Sequence, residues 1–121
     1  MDQRRILIVE DDDIIRRAWQ RWLRTTSAEI VYATNGEEAL QLLREGVYDF
    51  ILSDVDMPKM NGLRLFACIV SEFPALAMKF AFFTSSLQGP FEMAGIKVPV
   101  FDKSEYNAVC TIIAQDLRRA V

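Results

Sequence analysis

The chain has 121 residues, of which 51% are hydrophobic and 26% are charged. This length suits one domain with its own core, and the apolar content excludes an intrinsically disordered chain. The sequence contains no histidine, which excludes a Ser-His-Asp triad, a phosphohistidine carrier and an HExxH zinc site. The net charge of −3 argues against direct nucleic-acid binding, since such proteins usually carry a strong basic excess.

The sequence shows neither a targeting segment nor a membrane span. The N-terminal residues 1–5 lack the apolar region of a signal peptide. The apolar runs are strand-sized, well below the roughly 20 residues that a membrane helix needs. We therefore expect a soluble, cytoplasmic protein with no membrane partner, folded as a single domain over residues 1–121.

The first half of the chain alternates apolar runs with amphipathic stretches. Residues 6–9 are continuously apolar and β-branched, which predicts a strand buried on both faces. A helix is predicted over 13–25 and a second strand over 29–33. Asn35 is a predicted N-cap, and the helix that follows is expected to end at Gly46.

The second half continues the same alternation. Strands are predicted over 49–53, 78–83 and 98–101, with a helix over 63–72 that Pro74 ends. The segment between the last two strands is interrupted by Gly89-Pro90, so we expect at most a turn or two of helix near Glu92. Ser104 is expected to cap a last helix.

Five apolar strands that alternate with helices predict an α/β fold with a doubly wound parallel sheet and flanking helices. In such sheets, ligands bind at the carboxyl ends of the strands. Ionisable or hydroxyl side chains follow four of the five strands: the four acidic residues 10–13 after the first, Asp54 and Asp56 after the third, the hydroxyl residues 84–86 after the fourth, and Asp102 and Lys103 after the fifth.

These side chains together suit one kind of chemistry. Crowded carboxylates repel one another unless a cation neutralises them, and an all-oxygen ligand set favours Mg²⁺. A carboxylate, Mg²⁺, a lysine and a hydroxyl are what a phosphoryl group needs during transfer. Each residue alone has an ordinary structural explanation, so the joint pattern carries the interpretation.

The sequence resembles the receiver domain of two-component response regulators along its whole length. The stretches that carry the resemblance are ILIVEDD (6–12), ILSDVDMPKMNG (51–62), FFTSS (82–86) and FDKS (101–104). The resemblance implies a flavodoxin-like strand order, 2-1-3-4-5. It also implies a phosphorylation switch that receives its phosphoryl group from a histidine kinase or a histidine phosphotransfer protein.

The resemblance also assigns roles to single residues. Asp54 matches the phosphoryl acceptor, and Thr84 matches the switch hydroxyl that moves onto the phosphoryl oxygen. Lys103 matches the lysine that pairs with the acceptor and then with the phosphoryl group. The Mg²⁺ ligands are expected from Glu10, Asp11, Asp54 and the backbone carbonyl of Asp56. Slow autodephosphorylation is implied as well, although the protein is not expected to be an enzyme in the usual sense.

The sequence departs from the family pattern near the last strand. The segment between Thr84 and Lys103 is short, so the fourth helix is expected to be shortened or irregular. Val100 stands where the family usually has an aromatic residue that turns inward on activation. Ser104 replaces the proline that usually follows the lysine.

Two alternatives remain at this point. A receiver-like protein that binds its partners without phosphorylation is favoured by the unusual segment after Thr84. A phosphatase similar to haloacid dehalogenases is suggested by Asp54-Val55-Asp56, which resembles their DxD motif. That motif normally follows the first strand, and here it follows the third.

Overall fold

The computed structural model describes residues 3–119, with the side chains of the last helix described as far as residue 115. The main sheet contains the strands β1 Arg5–Val9, β2 Glu29–Ala33, β3 Phe50–Ser53, β4 Phe80–Phe83 and β7 Val100–Phe101. All its pairings are parallel, and the order is β2-β1-β3-β4-β7. With the short hairpin described below set aside, this is the predicted order.

Five helices connect or follow these strands in the described part of the chain: α1 Asp13–Trp22, α2 Gly36–Glu45, α3 Gly62–Glu72, the single turn α4 Pro74–Ala77 and α5 Tyr106–Arg119. The predicted N-cap of α2 is confirmed, because the Asn35 side chain accepts a hydrogen bond from the Glu38 amide. No helix among residues 3–119 is both long enough and apolar enough to cross a membrane.

The central strands are buried on both faces because their side chains alternate between two cores. Leu7 and Val9 of β1 belong to a core cluster shared with α2 and α3. Ile6 and Ile8 belong to a second cluster, shared with Trp19 of α1 and residues of α5. The apolar run that predicted β1 therefore serves both layers of helices.

A β-hairpin takes the place of a fourth crossover helix between β4 and β7. Its strands β5 Phe91–Met93 and β6 Ile96–Val98 pair antiparallel. Ala94 and Gly95 at its tip both have positive φ, as the two-residue turn of a tight hairpin requires. The expected turn of helix near Glu92 is therefore wrong, although the expectation that this region lacks a regular fourth helix is confirmed.

The hairpin covers the core that a helix would otherwise cover. Val98 is buried, and the Phe91 ring lies 5.4 Å from the Phe82 ring and 6.3 Å from the Phe66 ring. In sequence, a three-residue strand with apolar residues at alternate positions looks the same as an irregular segment. The apolar residues at 91, 93, 96 and 98 do show the alternation of a strand, but each run is too short to distinguish a strand from a turn.

Other boundaries differ from the predictions by a few residues. Helix α1 ends at Trp22 rather than at residue 25, and β4 begins at Phe80 because α4 occupies residues before it. The predicted strand 98–101 is divided, with Val98 in β6 and Val100 in β7. Ser104 does not cap the last helix: its Oγ donates to the Asp102 carboxylate, and α5 begins at Tyr106.

Candidate functional site

The four acidic side chains that follow β1 differ in their burial and in the groups that they contact. Glu10 is buried, with 2% of its surface exposed, whereas Asp11 is exposed. The Asp12 carboxylate caps α1 by accepting from the amides of Ile14 and Ile15. The Asp13 carboxylate forms ion pairs with two arginines of α1, which are Arg16 and Arg17. Because α1 engages Asp12 and Asp13, the carboxylates of Glu10 and Asp11 are the two of this run that are available at the carboxyl edge of the sheet.

Backbone hydrogen bonds beyond the ends of the strands fix the positions of the central carboxylates. The Glu10 amide donates to the Ala33 carbonyl at 2.9 Å, and the Asp54 amide donates to the Val9 carbonyl at 2.9 Å. Asp54 is 6% exposed, and its Oδ1 accepts from the Val55 amide at 2.7 Å. Glu10 and Asp54 thus follow two neighbouring strands at equivalent positions of the register, as a parallel sheet predicts.

Lys103 lies between these two carboxylates. Its Nζ is 3.0 Å from Asp54 Oδ2 and 3.2 Å from Glu10 Oε1. Three charges from three separate segments therefore meet where the strands end. A buried pair of like charges is tolerated because the ammonium compensates them in part.

Burial and charge shift the pKa values of this cluster in both directions. Burial, together with the negative charge of Asp54, raises the pKa of Glu10 from 4.5 to about 7 against the opposing effect of Lys103. Burial acts to lower the pKa of Lys103, but the hydrogen bond to Asp54 and the charge of Glu10 outweigh it and raise the pKa. Negative charge therefore exceeds positive charge at the site whenever both carboxylates ionise.

The carboxylates of Glu10, Asp11 and Asp54 could hold a metal ion. One oxygen from each can be chosen so that all three lie within 4.8 Å of one another. An all-carboxylate set suits a hard cation such as Mg²⁺, which keeps several of its waters. A divalent cation at this position would act against the raised pKa of Glu10, because crowded buried carboxylates ionise more readily beside such a charge.

Thr84 follows β4 on the other side of Asp54. It is buried, and its amide donates to the Phe101 carbonyl at 2.9 Å, which ties the end of β4 to β7. Its Oγ1 accepts from the Ser86 amide and lies 3.1 Å from Ser86 Oγ. The hydroxyl is thus held by its own loop in this structure.

The structure brings Glu10, Asp11, Asp54 and Lys103 together as predicted. Asp56 is exposed in the loop after β3, and its carboxylate does not belong to the acidic cluster found among the described residues. The role of its backbone carbonyl stays a prediction.

Sequence reasoning missed the Val55 amide, because a backbone group leaves no sign in the identity of its side chain. It also missed Arg16, whose spacing of three residues from Asp13 was the available sign.

Comparison with known proteins gives an independent result. A family model described as the response regulator receiver domain matches residues 6–102. The Regulator of RpoS of Escherichia coli K12 is 40% identical over 62 residues, which cover 51% of this chain and 18% of that protein. The transcriptional regulatory protein SrrA of Staphylococcus aureus NCTC 8325 is 45% identical over 60 residues, which cover 50% of this chain and 25% of that protein. The chain thus spans a quarter or less of the length of these relatives.

The fold is also found among solved structures. The response regulator protein TrrA from Thermotoga maritima, crystallised in complex with Mg²⁺-BeF, superposes with a TM-score of 0.79. The two chains are 26% identical, and the superposition covers 94% of this chain and 99% of that one. The predicted fold class is confirmed by this likeness and by the sheet order.

Proposed function

The chain belongs to the response regulator receiver domain family, and from that membership we propose that it is a signalling switch whose Asp54 accepts a phosphoryl group. Receiver domains are signalling phosphoacceptors and not enzymes of the usual kind. The family match covers residues 6–102, and we propose that residues 1–121 form one such domain. The observation that carries the proposal is the contact of Lys103 with both Asp54 and Glu10, beside the three-carboxylate cluster.

The proposed reaction is an in-line transfer from a phosphohistidine to the Asp54 carboxylate. A carboxylate oxygen bonds to phosphorus as the phosphorus–nitrogen bond breaks, and the electron pair of that bond goes to the imidazole of the donor. The product is an acyl phosphate on Asp54. Little covalent assistance is needed, because position and charge neutralisation supply most of the catalysis in phosphoryl transfer.

The residues of the chain have distinct parts in this reaction. Lys103 Nζ, 3.0 Å from the acceptor, compensates charge on the carboxylate and then on the phosphoryl oxygens. We propose that Thr84 donates to a phosphoryl oxygen after transfer. Glu10, Asp11, Asp54 and the Asp56 carbonyl are the proposed ligands of Mg²⁺, which supplies further neutralisation of the phosphoryl charge. Slow attack of water on the acyl phosphate would end the signal.

The donor is proposed to be a histidine kinase or a histidine phosphotransfer protein. This choice follows from the high transfer potential of a phosphohistidine, because a carboxylate is a poor nucleophile toward ordinary phosphate esters. The chain contains no histidine of its own, so the donor residue has to lie outside residues 1–121.

Labelling by acetyl phosphate with Mg²⁺ tests the assignment of the acceptor. The wild-type chain should gain the mass of one phosphoryl group, and hydroxylamine should remove it. Asp54→Asn should abolish the gain, whereas Asp56→Asn, a matched change two residues away, should retain it. Labelling that persists in Asp54→Asn would show that another carboxylate is the acceptor. No labelling of the wild type would favour a receiver-like module that acts without phosphorylation.

A further inference from the structure

Arg16 makes a pair of contacts that no role assigned so far explains. It lies one turn into α1, and its side chain is 20% exposed. Its Nη1 donates to the backbone carbonyl of Glu10 at 2.8 Å, and its Nη2 donates to Asp13 Oδ1 at 3.2 Å. The guanidinium therefore joins the first and the last residue of the acidic run.

These contacts close the turn between β1 and α1. The Arg16 amide also donates to the Asp12 carbonyl, and the Asp12 amide donates to Glu10 Oε2 at 3.2 Å. Both ends of the turn that carries Glu10 and Asp11 are thus held by one rigid, two-pronged side chain. A lysine lacks this planar fork, so its one nitrogen cannot take the positions of both Nη1 and Nη2.

The second contact keeps Asp13 away from the cluster of Glu10, Asp11 and Asp54. Asp13 is one of four successive acidic residues, yet its carboxylate points to Arg16 and Arg17 on the helix. A fourth free carboxylate at the edge of the sheet would add to the repulsion among Glu10, Asp11 and Asp54. Arg16 and Arg17 thus both pair with Asp13 on the helix, and Arg16 also contacts the Glu10 carbonyl.

We propose that Arg16 is a positioning residue for the cation site, holding the Glu10–Asp13 turn so that Glu10 and Asp11 stay beside Asp54. This inference rests on the proposed function, because it concerns the Mg²⁺ site of that function. Residues that orient metal ligands without touching the metal commonly change affinity about 10-fold or more when they are replaced.

Electrostatics alone leads to the opposite expectation. Arg16 is a positive charge near a site for a cation, so its removal should strengthen Mg²⁺ binding through charge alone. The sign of the change in affinity therefore separates a positioning role from a simple charge effect. Arg17 provides the matched control, because it pairs with Asp13 at 3.0 Å and is 71% exposed, whereas the donor to the Glu10 carbonyl is Arg16.

The experiment is an Mg²⁺ titration of the full chain, followed by amide chemical shifts in NMR spectra. Arg16→Met keeps the aliphatic stem and should raise the dissociation constant about 10-fold. Arg17→Met removes an equal charge and should leave the constant unchanged or slightly lower. The same spectra, recorded without metal, show whether each variant is folded.

A second variant keeps the test valid if Arg16→Met does not fold. Arg16→Lys retains the charge, and the proposal still expects several-fold weaker binding because lysine lacks the planar fork that places one nitrogen at each acceptor. The inference would be overturned if Arg16→Lys bound Mg²⁺ as tightly as the wild type does. It would also be overturned if Arg16→Met bound Mg²⁺ as tightly as Arg17→Met does. A wild-type protein that shows no Mg²⁺-dependent shifts would instead contradict the proposed function itself.

Discussion

Glu10 is the residue at which burial and charge conflict most directly. Its carboxylate is nearly fully buried beside Asp54, and Lys103 compensates both acids with a single charge. An arrangement of this kind lowers stability in the absence of a cation, because at least one carboxylate is under-compensated. Binding of a cation and stability are therefore linked through this residue.

The pH dependence of stability should report this conflict. The pKa of Glu10 is raised from 4.5 to about 7 by burial first and by Asp54 second. Between these values the folded state holds a proton that the unfolded state releases, so stability should fall as pH rises. The loss should reach at most about 3 kcal/mol, since one pKa unit corresponds to about 1.4 kcal/mol. Urea unfolding without metal, at pH 5 and at pH 7.5, measures the difference.

Glu10→Gln is the control for that measurement. The variant lacks the titrating group, so its stability should change much less over the same range of pH. The lowered pKa of Asp102 acts in a more acidic range and does not interfere. An equal loss of stability in wild type and Glu10→Gln would assign the effect to other groups.

At the level of helices and loops, Gly62 sets the approach of α3 to the acceptor. A Cβ added at Gly62 would lie 2.0 Å from the Asp54 carbonyl oxygen, so the helix or the acceptor strand would have to move. Gly62→Ala should therefore destabilise the protein by about 3 kcal/mol and reduce labelling of Asp54. Urea unfolding and acetyl phosphate labelling measure the two effects.

Gly95 gives a matched substitution with a different cause. Its φ of +78° disfavours a side chain, but a Cβ would meet nothing within 4 Å. Gly95→Ala should cost about 1 kcal/mol and leave labelling intact. We attribute the effect of Gly62→Ala to a clash at the acceptor and that of Gly95→Ala to backbone strain in the hairpin. Full labelling of Gly62→Ala together with loss of labelling in Gly95→Ala would contradict this.

The loop after β4 is expected to move more than β7 on activation. Thr84 holds Ser86 within its own loop, and a Cβ added at Gly89 would lie 3.3 Å from the Cβ of Val100, the position at which the family usually has an aromatic ring. A ligand shifts a conformational equilibrium only by its difference in affinity for the two states, and Thr84 is the residue of this loop that we propose as a donor to a phosphoryl oxygen. Beryllofluoride with Mg²⁺ should shift amides over 84–89 strongly and those of Val100 and Phe101 weakly.

Thr84→Ala is the variant that tests this coupling. It should still allow labelling of Asp54, but the shifts over 84–89 should become small. Shifts in β7 and α5 as large as those in the loop would show that Val100 does not limit the movement. The experiment thus compares two neighbouring segments within one protein.

Sequence patterns predicted the long elements better than the short ones. β1 and α2 were found because their apolar periodicity extends over a full strand or helix and the cap residue is clear. The hairpin was missed because its strands have only three residues each, and its stability comes from packing against Phe66 and Phe82. The position of Ser104 was misjudged because Asp102 and Glu105 organise that turn instead.

The candidate site could be predicted further than the local structure around it. The topology of a parallel sheet brings the ends of strands together, so the order of elements placed Glu10, Asp54 and Lys103 at one edge, and the family resemblance singled them out there. The contacts of Arg16 could not be predicted, since they depend on where one side chain of α1 turns. Roles that involve backbone groups, such as the Val55 amide, leave no trace in residue identity.

For the molecule as a whole, Mg²⁺ should raise the melting temperature. A ligand that binds the folded state alone stabilises it by mass action, and the three carboxylates lie together only in the folded chain. The increase should be smaller in Asp11→Asn, which lacks one anionic ligand. Without metal, that variant should melt at or slightly above the wild type, because one like charge is removed. A lower melting point without metal would contradict this account.

The hairpin also makes the molecule convenient for engineering. Its tip, Ala94-Gly95, projects where an added atom at Gly95 meets no neighbour, while its base is anchored by buried Val98. A short peptide tag or a fluorescent label inserted between Ala94 and Gly95 would be attached to the segment that leaves the sheet at Thr84 and returns to it before Lys103. The probe would then lie ten residues after Thr84 and eight residues before Lys103, so a movement of the loop after β4 should change its signal.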